Sequence, residues 1–197
     1  MLKVGITGGI GSGKTTICKI FEILGIPVFY ADDVSKTIMV DDLELKSQII
    51  SFFGNDAYFF DGSLNRKYIS DIVFKDDLKL KKLNSLVHPA VRNAYERWAN
   101  SQKSPYVLKE AALMFESKSY LDNNINVLVS CPLDLRIERV ISRDKTTKEK
   151  VLDRISKQMP EEEKEKLADF KIINDEEKSL IKQVLFIHNE LLHRSRE

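Results

Sequence analysis

No run of 18 apolar residues occurs anywhere in this 197-residue chain, so no helical membrane span is expected. The opening Met1–Gly5 enters a strand-like segment directly, without the apolar stretch and small-residue cleavage site of a signal peptide. Cysteine is scarce: Cys18 and Cys131 stand alone, in no CxxC or metal-ligand spacing. Both read as small core residues in a reducing, cytoplasmic compartment rather than as a redox pair. Charge of one sign is also missing, because 31 Lys and Arg face 30 Asp and Glu, a net of +1. A protein that coats nucleic acid or an anionic bilayer through bulk charge is thereby disfavoured. No obligate protein partner is evident. There is no internal repeat and no low-complexity linker. What remains is 43% hydrophobic and 31% charged, enough apolar material for one core with small inserted lobes.

Short apolar runs alternate with helical patterns. Leu2–Thr7, Pro27–Tyr30, Tyr106–Leu108, Asn126–Val129 and Phe170–Ile173 read as strands. Ile17, Ile20, Phe21 and Leu24 repeat at the spacing of one helix face, and Gly25 can stop that helix. Strands separated by helices predict an α/β fold with a mainly parallel sheet. A mostly helical insertion spans about 37–102, with a turn at Phe60–Ser63. A second, charge-rich one spans about 138–162, where Thr146 and Glu149 offer a capping box and Pro160 opens another helix. Leu180, Ile181, Val184, Leu185, Ile187 and Leu191 predict one closing amphipathic helix over Glu176–His193. The Phe52–Phe53 pair and Trp98 read as core of the first insertion.

Gly8-Gly9-Ile10-Gly11-Ser12-Gly13-Lys14-Thr15, followed by Thr16, matches GxxxxGK[ST] between a strand and a helix. Such a loop turns backbone N–H groups toward phosphate oxygens and adds the positive end of a helix. Lys14 is placed to reach the β- and γ-phosphates of a nucleoside triphosphate, and the Thr15 hydroxyl to complete a Mg²⁺ shell. A switch GTPase would need DxxG and NKxD, and neither occurs. A mechanical ATPase would show an apolar run ending in Asp, whereas Tyr106–Glu110 is interrupted by Lys109. A small-molecule or nucleotide kinase needs an acceptor lobe and an arginine-bearing lid, and the two insertions suit those roles. A kinase for another nucleotide or small metabolite stays open at this point.

Further motifs, in order from Val4 to Asn174, resemble the dephospho-CoA kinase family. They are the loop itself, Ala31-Asp32 after the second strand, Asp61–Arg66, His88-Pro89, Leu113–Glu116, Arg139–Asp144, Arg154–Pro160 and Ala168–Phe170 with Asn174. Tyr30, Ala112 and Lys36 depart from the family pattern, which carries Asp, Pro and often Arg there. The resemblance implies a P-loop kinase of the nucleoside-monophosphate-kinase type, cytoplasmic, using ATP and Mg²⁺ to phosphorylate the ribose 3′-hydroxyl of dephospho-CoA. It implies a nucleotide-binding core of 1–36, 103–137 and 163–197, an acceptor lobe of 37–102 and a lid of 138–162. It also assigns candidate residues: Lys14, Asp32, Arg139 and Arg143 for catalysis; Gly8, Gly9, Gly11, Ser12, Gly13, Lys14, Thr15 and Thr16 for nucleotide; Asp32, Arg66, His88 and Glu116 for the acceptor; Thr15 and Asp32 for metal. Asp32 is alternatively an N-cap, and Asp33 a cap or a solvated charge. Glu110, Arg154 and Gln158 are equally readable as structural.

Overall fold

A computed structural model describes residues 1–196. Among them, five strands form one parallel sheet: β1 (Leu2–Thr7), β2 (Val28–Tyr30), β3 (Tyr106–Glu110), β4 (Ile125–Ser130) and β5 (Phe170–Ile173), in the order β2-β3-β1-β4-β5. The central β1 pairs Leu2 with Tyr106 on one side and Val4 with Ile125 on the other. A strand buried on both faces needs continuous apolar side chains, and Val4, Ile6, Leu108, Val127 and Val129 are fully buried. β3 runs on through Lys109 and Glu110, both buried. The Lys109 ammonium donates to the Ser119 carbonyl at 3.1 Å, so the charge does not break the strand.

The chain divides into two compact units. The first, residues 1–30 and 102 onward, holds the sheet with helices α1 (Lys14–Ile23), α6 (Leu133–Asp144), α7 (Lys148–Ser156), α8 (Glu161–Leu167) and α9 (Leu180–Arg194). Ile17, Cys18 and Phe21 of α1 and Val184, Ile187 and Leu191 of α9 close the sheet's core. Gly25 ends α1 at φ +81°, with its N–H on Glu22 and that of Ile26 on Phe21, a Schellman turn. The closing helix starts later than its periodicity predicts, at the Ser179 cap, because Glu176 sits at φ +69°. Ile181 and Leu185 flank the buried stripe and stay exposed. At the front of α7 the N-cap is Thr147, one residue beyond the expected capping-box position, and it makes no side-chain cap bond.

The second unit, residues 31–101, contains α2 (Ala31–Asp41), α3 (Leu43–Phe53), α4 (Arg66–Val73) and α5 (Asp77–Ser101). Asp42 caps α3 and Asn65 caps α4 through their side-chain oxygens. Its core is Leu45, Ile49, Phe53, Leu64, Ile69, Val73 and Val87 around Tyr58. The Tyr58 hydroxyl donates to Met39 O at 2.6 Å, and burial pushes its pKa up to about 12. Only Phe53 of the Phe52–Phe53 pair is buried, and Trp98 is half-buried, stacked on Tyr95. The pair His88-Pro89 lies inside α5 rather than in extended backbone. The proline's bias on its predecessor is overridden by a 25-residue helix whose Val87 is anchored in the core.

Candidate phosphate-binding site

The site begins where β1 stops. Gly13, at φ +92°, turns the chain into α1, and no side chain caps that helix. An uncapped N-terminus leaves first-turn amides directed at whatever anion enters. Ser12 N–H returns to Gly9 O at 3.1 Å, which closes the loop on itself. Lys14 Nζ curls over it, donating to Gly8 O at 3.0 Å and Gly9 O at 3.4 Å. Thr15 and Thr16 are exposed on the first turn of α1, whereas Ser12 is buried. The arrangement is a cradle of backbone donors with one ammonium seated over it, suited to a polyphosphate.

Three side chains that the loop motif does not contain hold this cradle. Asn174, just after β5, donates from Nδ2 to Ser12 O at 2.8 Å, a buried bond. Arg136 of α6 is buried, with its guanidinium against Gly9 and Nε donating to Ile10 O at 3.0 Å. Gln158 accepts the Ile10 N–H at 2.9 Å through Oε1. Arg136 also faces Glu161 at 3.5 Å. Nothing in the sequence ranks Arg136 above its helix neighbours, since all three arginines of α6 lie at helical spacing. Its burial is the only sign that separates it.

The paired arginines diverge. Arg139 points toward the end of β5, donating to Glu176 at 2.9 Å, to Asn174 Oδ1 at 3.4 Å and to the Cys131 sulfur at 3.2 Å. Burial raises the Cys131 thiol pKa, against the pull of the Arg139 and Arg136 charges. Arg143 instead grips its neighbour Asp144 through two bonds, and Arg154 reaches the same carboxylate at 2.9 Å. These bonds hold the Asp144 carboxyl below the usual range and Arg143 above its own. Glu116 Oε1 accepts the Met159 N–H at 2.9 Å and the ammonium of fully buried Lys164 at 3.1 Å. Asp32 lies exposed in the first turn of α2, inside the helix rather than capping it, while Asp33 pairs with Lys36 at 2.6 Å. Arg66 opens α4 and His88 lies on α5, both exposed. Glu110, at the carboxyl end of β3, is buried.

With this geometry in hand, comparison with known proteins assigns the family: a family model described as dephospho-CoA kinase matches residues 2–179. The chain belongs to the dephospho-CoA kinase family. Relatives within that family include dephospho-CoA kinases of Bacteroides fragilis, 35% identical over 185 residues covering 93% of this chain and 90% of that one. The dephospho-CoA kinase of Salinibacter ruber is 37% identical over 178 residues, 89% of each chain. Among solved structures, TT1252 of Thermus thermophilus superposes with a TM-score of 0.85 at 31% identity, covering 96% of both chains. A dephospho-CoA kinase of Campylobacter jejuni does so with a TM-score of 0.70 at 28% identity over 97% of each. A shikimate kinase of Acinetobacter baumannii, at 16% identity and a TM-score of 0.51, shares the P-loop kinase fold alone.

Proposed function

We propose that the chain carries out its family's reaction, transfer of the γ-phosphoryl group of ATP to the ribose 3′-hydroxyl of dephospho-CoA, giving CoA and ADP in the last step of coenzyme A synthesis. The observation that carries this reading is the family match over residues 2–179, in a chain whose complete GxxxxGKT loop opens an uncapped helix. Lys14 leaves the carbonyls of Gly8 and Gly9 for the β- and γ-phosphates, and the loop amides take the rest of the charge. Arg139 and Arg143 exchange their carboxylate partners for the transferring phosphoryl group, the 138–162 segment acting as a lid. Asp32 orients the acceptor hydroxyl and takes its proton. Arg66, His88 and Glu116 contribute to acceptor binding, within a lobe of residues 37–102.

Mg²⁺ belongs to the same proposal. Among the described residues no group of three or more His, Cys, Asp or Glu is placed to hold a metal alone. The exposed Thr15 hydroxyl fits a hard cation that draws most of its ligands from phosphate oxygens and water, with Asp32 as a second protein oxygen. When bound, the ion supplies charge neutralisation at the phosphates. A cytoplasmic setting, which the family resemblance implies, suits two free, buried cysteines; among the described residues no helix is long and apolar enough to cross a membrane.

A coupled ADP-release assay across dephospho-CoA, AMP, GMP, pantothenate and shikimate tests the reading. Turnover with Mg²⁺ on dephospho-CoA is expected. Robust turnover on AMP or shikimate, with none on dephospho-CoA, would overturn it.

A further inference from the structure

Ile10, at the crown of the phosphate loop, is engaged in all three of its parts. Its N–H donates to Gln158 Oε1 at 2.9 Å, and its C=O accepts from Arg136 Nε at 3.0 Å. Its side chain packs into a small apolar cluster made by Ile137, Val140 and Ile141 of α6 and Val151 and Ile155 of α7. That cluster is separate from the main sheet core. The motif asks nothing of this position, where any residue satisfies the pattern. Yet here one loop residue plugs the α6–α7 hairpin while two side chains fix both ends of its peptide group.

The grip on Gln158 is itself braced. Met159, next in the chain, donates its N–H to Glu116 Oε1 at 2.9 Å, and the buried Lys164 ammonium meets the same oxygen at 3.1 Å. Glu161, three residues before Lys164, faces Arg136 at 3.5 Å. The segment 158–164 is therefore pinned to the end of the β3 loop and to α6. Desolvated ion pairs that also carry hydrogen bonds are rigid fixtures, because separating them strands a buried charge. Gln158 has its backbone held in place and its side-chain carbonyl aimed at one amide.

We propose that Gln158 is a positioning residue for the phosphate loop, and that Ile10 couples the loop to the α6–α7 hairpin. The hairpin's base then does not swing freely. Any displacement of α7 pulls on the Ile10 peptide, and the loop keeps its curvature before nucleotide arrives. Preorganised donors spare the reorganisation that a limp loop would undergo on binding phosphate. The inference rests on the proposed kinase reading only for its effect on turnover. The coupling itself is independent of the acceptor.

The test uses the full chain without nucleotide, reading the exchange of the Ile10 amide by NMR. Gln158→Met keeps length and removes the acceptor, whereas Gln158→Glu keeps a side-chain oxygen. Loss of one partly buried neutral bond corresponds to about a two- to tenfold fall in protection at Ile10. We expect that fall in Gln158→Met and retained protection in Gln158→Glu. In the ADP-release assay, Gln158→Met should raise KM for ATP by a similar factor, with kcat changed less. Unchanged Ile10 protection in Gln158→Met, or equal loss in both variants, overturns the proposal. So does a lowered melting temperature with no change specific to Ile10. Failure of the wild-type chain to turn over dephospho-CoA would sink the kinase reading and leave the exchange result standing.

Discussion

Replacing Gly13 by alanine asks two things of the structure at once, and Gly25 supplies the control that separates them. Both glycines have left-handed φ, +92° and +81°. An L-residue held there loses about 1–2 kcal/mol. At Gly25 a Cβ meets nothing within 4 Å, so that figure is the whole cost. At Gly13 the Cβ would lie 2.2 Å from Asn174 Nδ2 and must displace it. The buried Asn174–Ser12 bond is then lost, which costs roughly a further 1–3 kcal/mol. Gly13→Ala should lose about 2–5 kcal/mol of unfolding free energy in urea titrations, within a total of about 5–15 kcal/mol. Gly25→Ala should lose only the smaller amount. The sharper check is Gly13→Ala combined with Asn174→Ala. Removing the asparagine relieves the clash, so the double variant should be no less stable than Gly13→Ala alone. Costs that simply add, or equal losses at Gly13 and Gly25, would refute the claim that Asn174 buttresses the loop.

Other outcomes follow from the same geometry. Lys14→Ala should abolish most turnover in the ADP-release assay with little change in melting temperature, because its half-buried ammonium, seated on the carbonyls of Gly8 and Gly9, serves phosphate charge rather than the apolar core. Asp32→Asn should lower kcat by about a hundredfold or more with a smaller change in KM for dephospho-CoA, whereas a shift in KM alone would make Asp32 a binding residue. Within the 138–162 lid, hydrogen exchange should slow once a nonhydrolysable ATP analogue and dephospho-CoA are both present, most of all over 145–157, which lies beyond α6 and before the pinned segment from Gln158 on; a stretch already protected without them would end the lid hypothesis. Burial first, then the charges of Glu110 and Glu22, hold the Cys18 thiol neutral well above its ordinary range. Below a pH of about 8.5 the thiol is protonated in both states and its contribution is intact; above it only the unfolded chain ionises, so stability falls. Cys18→Ala should make that alkaline decline shallower in urea titrations from pH 8 to 10.

The phosphate loop was legible because its chemistry needs residue types at fixed spacing, and such a pattern survives without knowledge of the fold. The sheet was legible for a similar reason: strands buried on both faces must be apolar runs. The bonds that support the loop were not legible, although Gln158 and Asn174 lie in motifs that resemble the family's. Arg136 is one of three arginines on α6, and only its burial beneath the loop distinguishes it. The bond from Gln158 to Ile10 joins residues 148 positions apart, and no local pattern encodes such a pairing. His88-Pro89 shows local preference yielding to tertiary packing, since α5 runs through the proline. Ile181 and Leu185 show the limit of periodicity, which marks a stripe but not its width.

The central position of β1 has a consequence for how the chain comes to be folded. Its amide at Lys3 bonds to Asn124, 121 residues further on, and both strands that flank it come after residue 105. At about 5–20 residues per second, roughly 6–24 s of synthesis separate the two halves of that contact. During this interval the strand carrying the phosphate loop has no edge to pair with, while residues 31–101 already contain every member of their own apolar cluster. The order of appearance thus opposes the order of the sheet. A nascent chain stalled before β3 would carry an apolar strand with both edges open, the kind of segment that holdase chaperones bind.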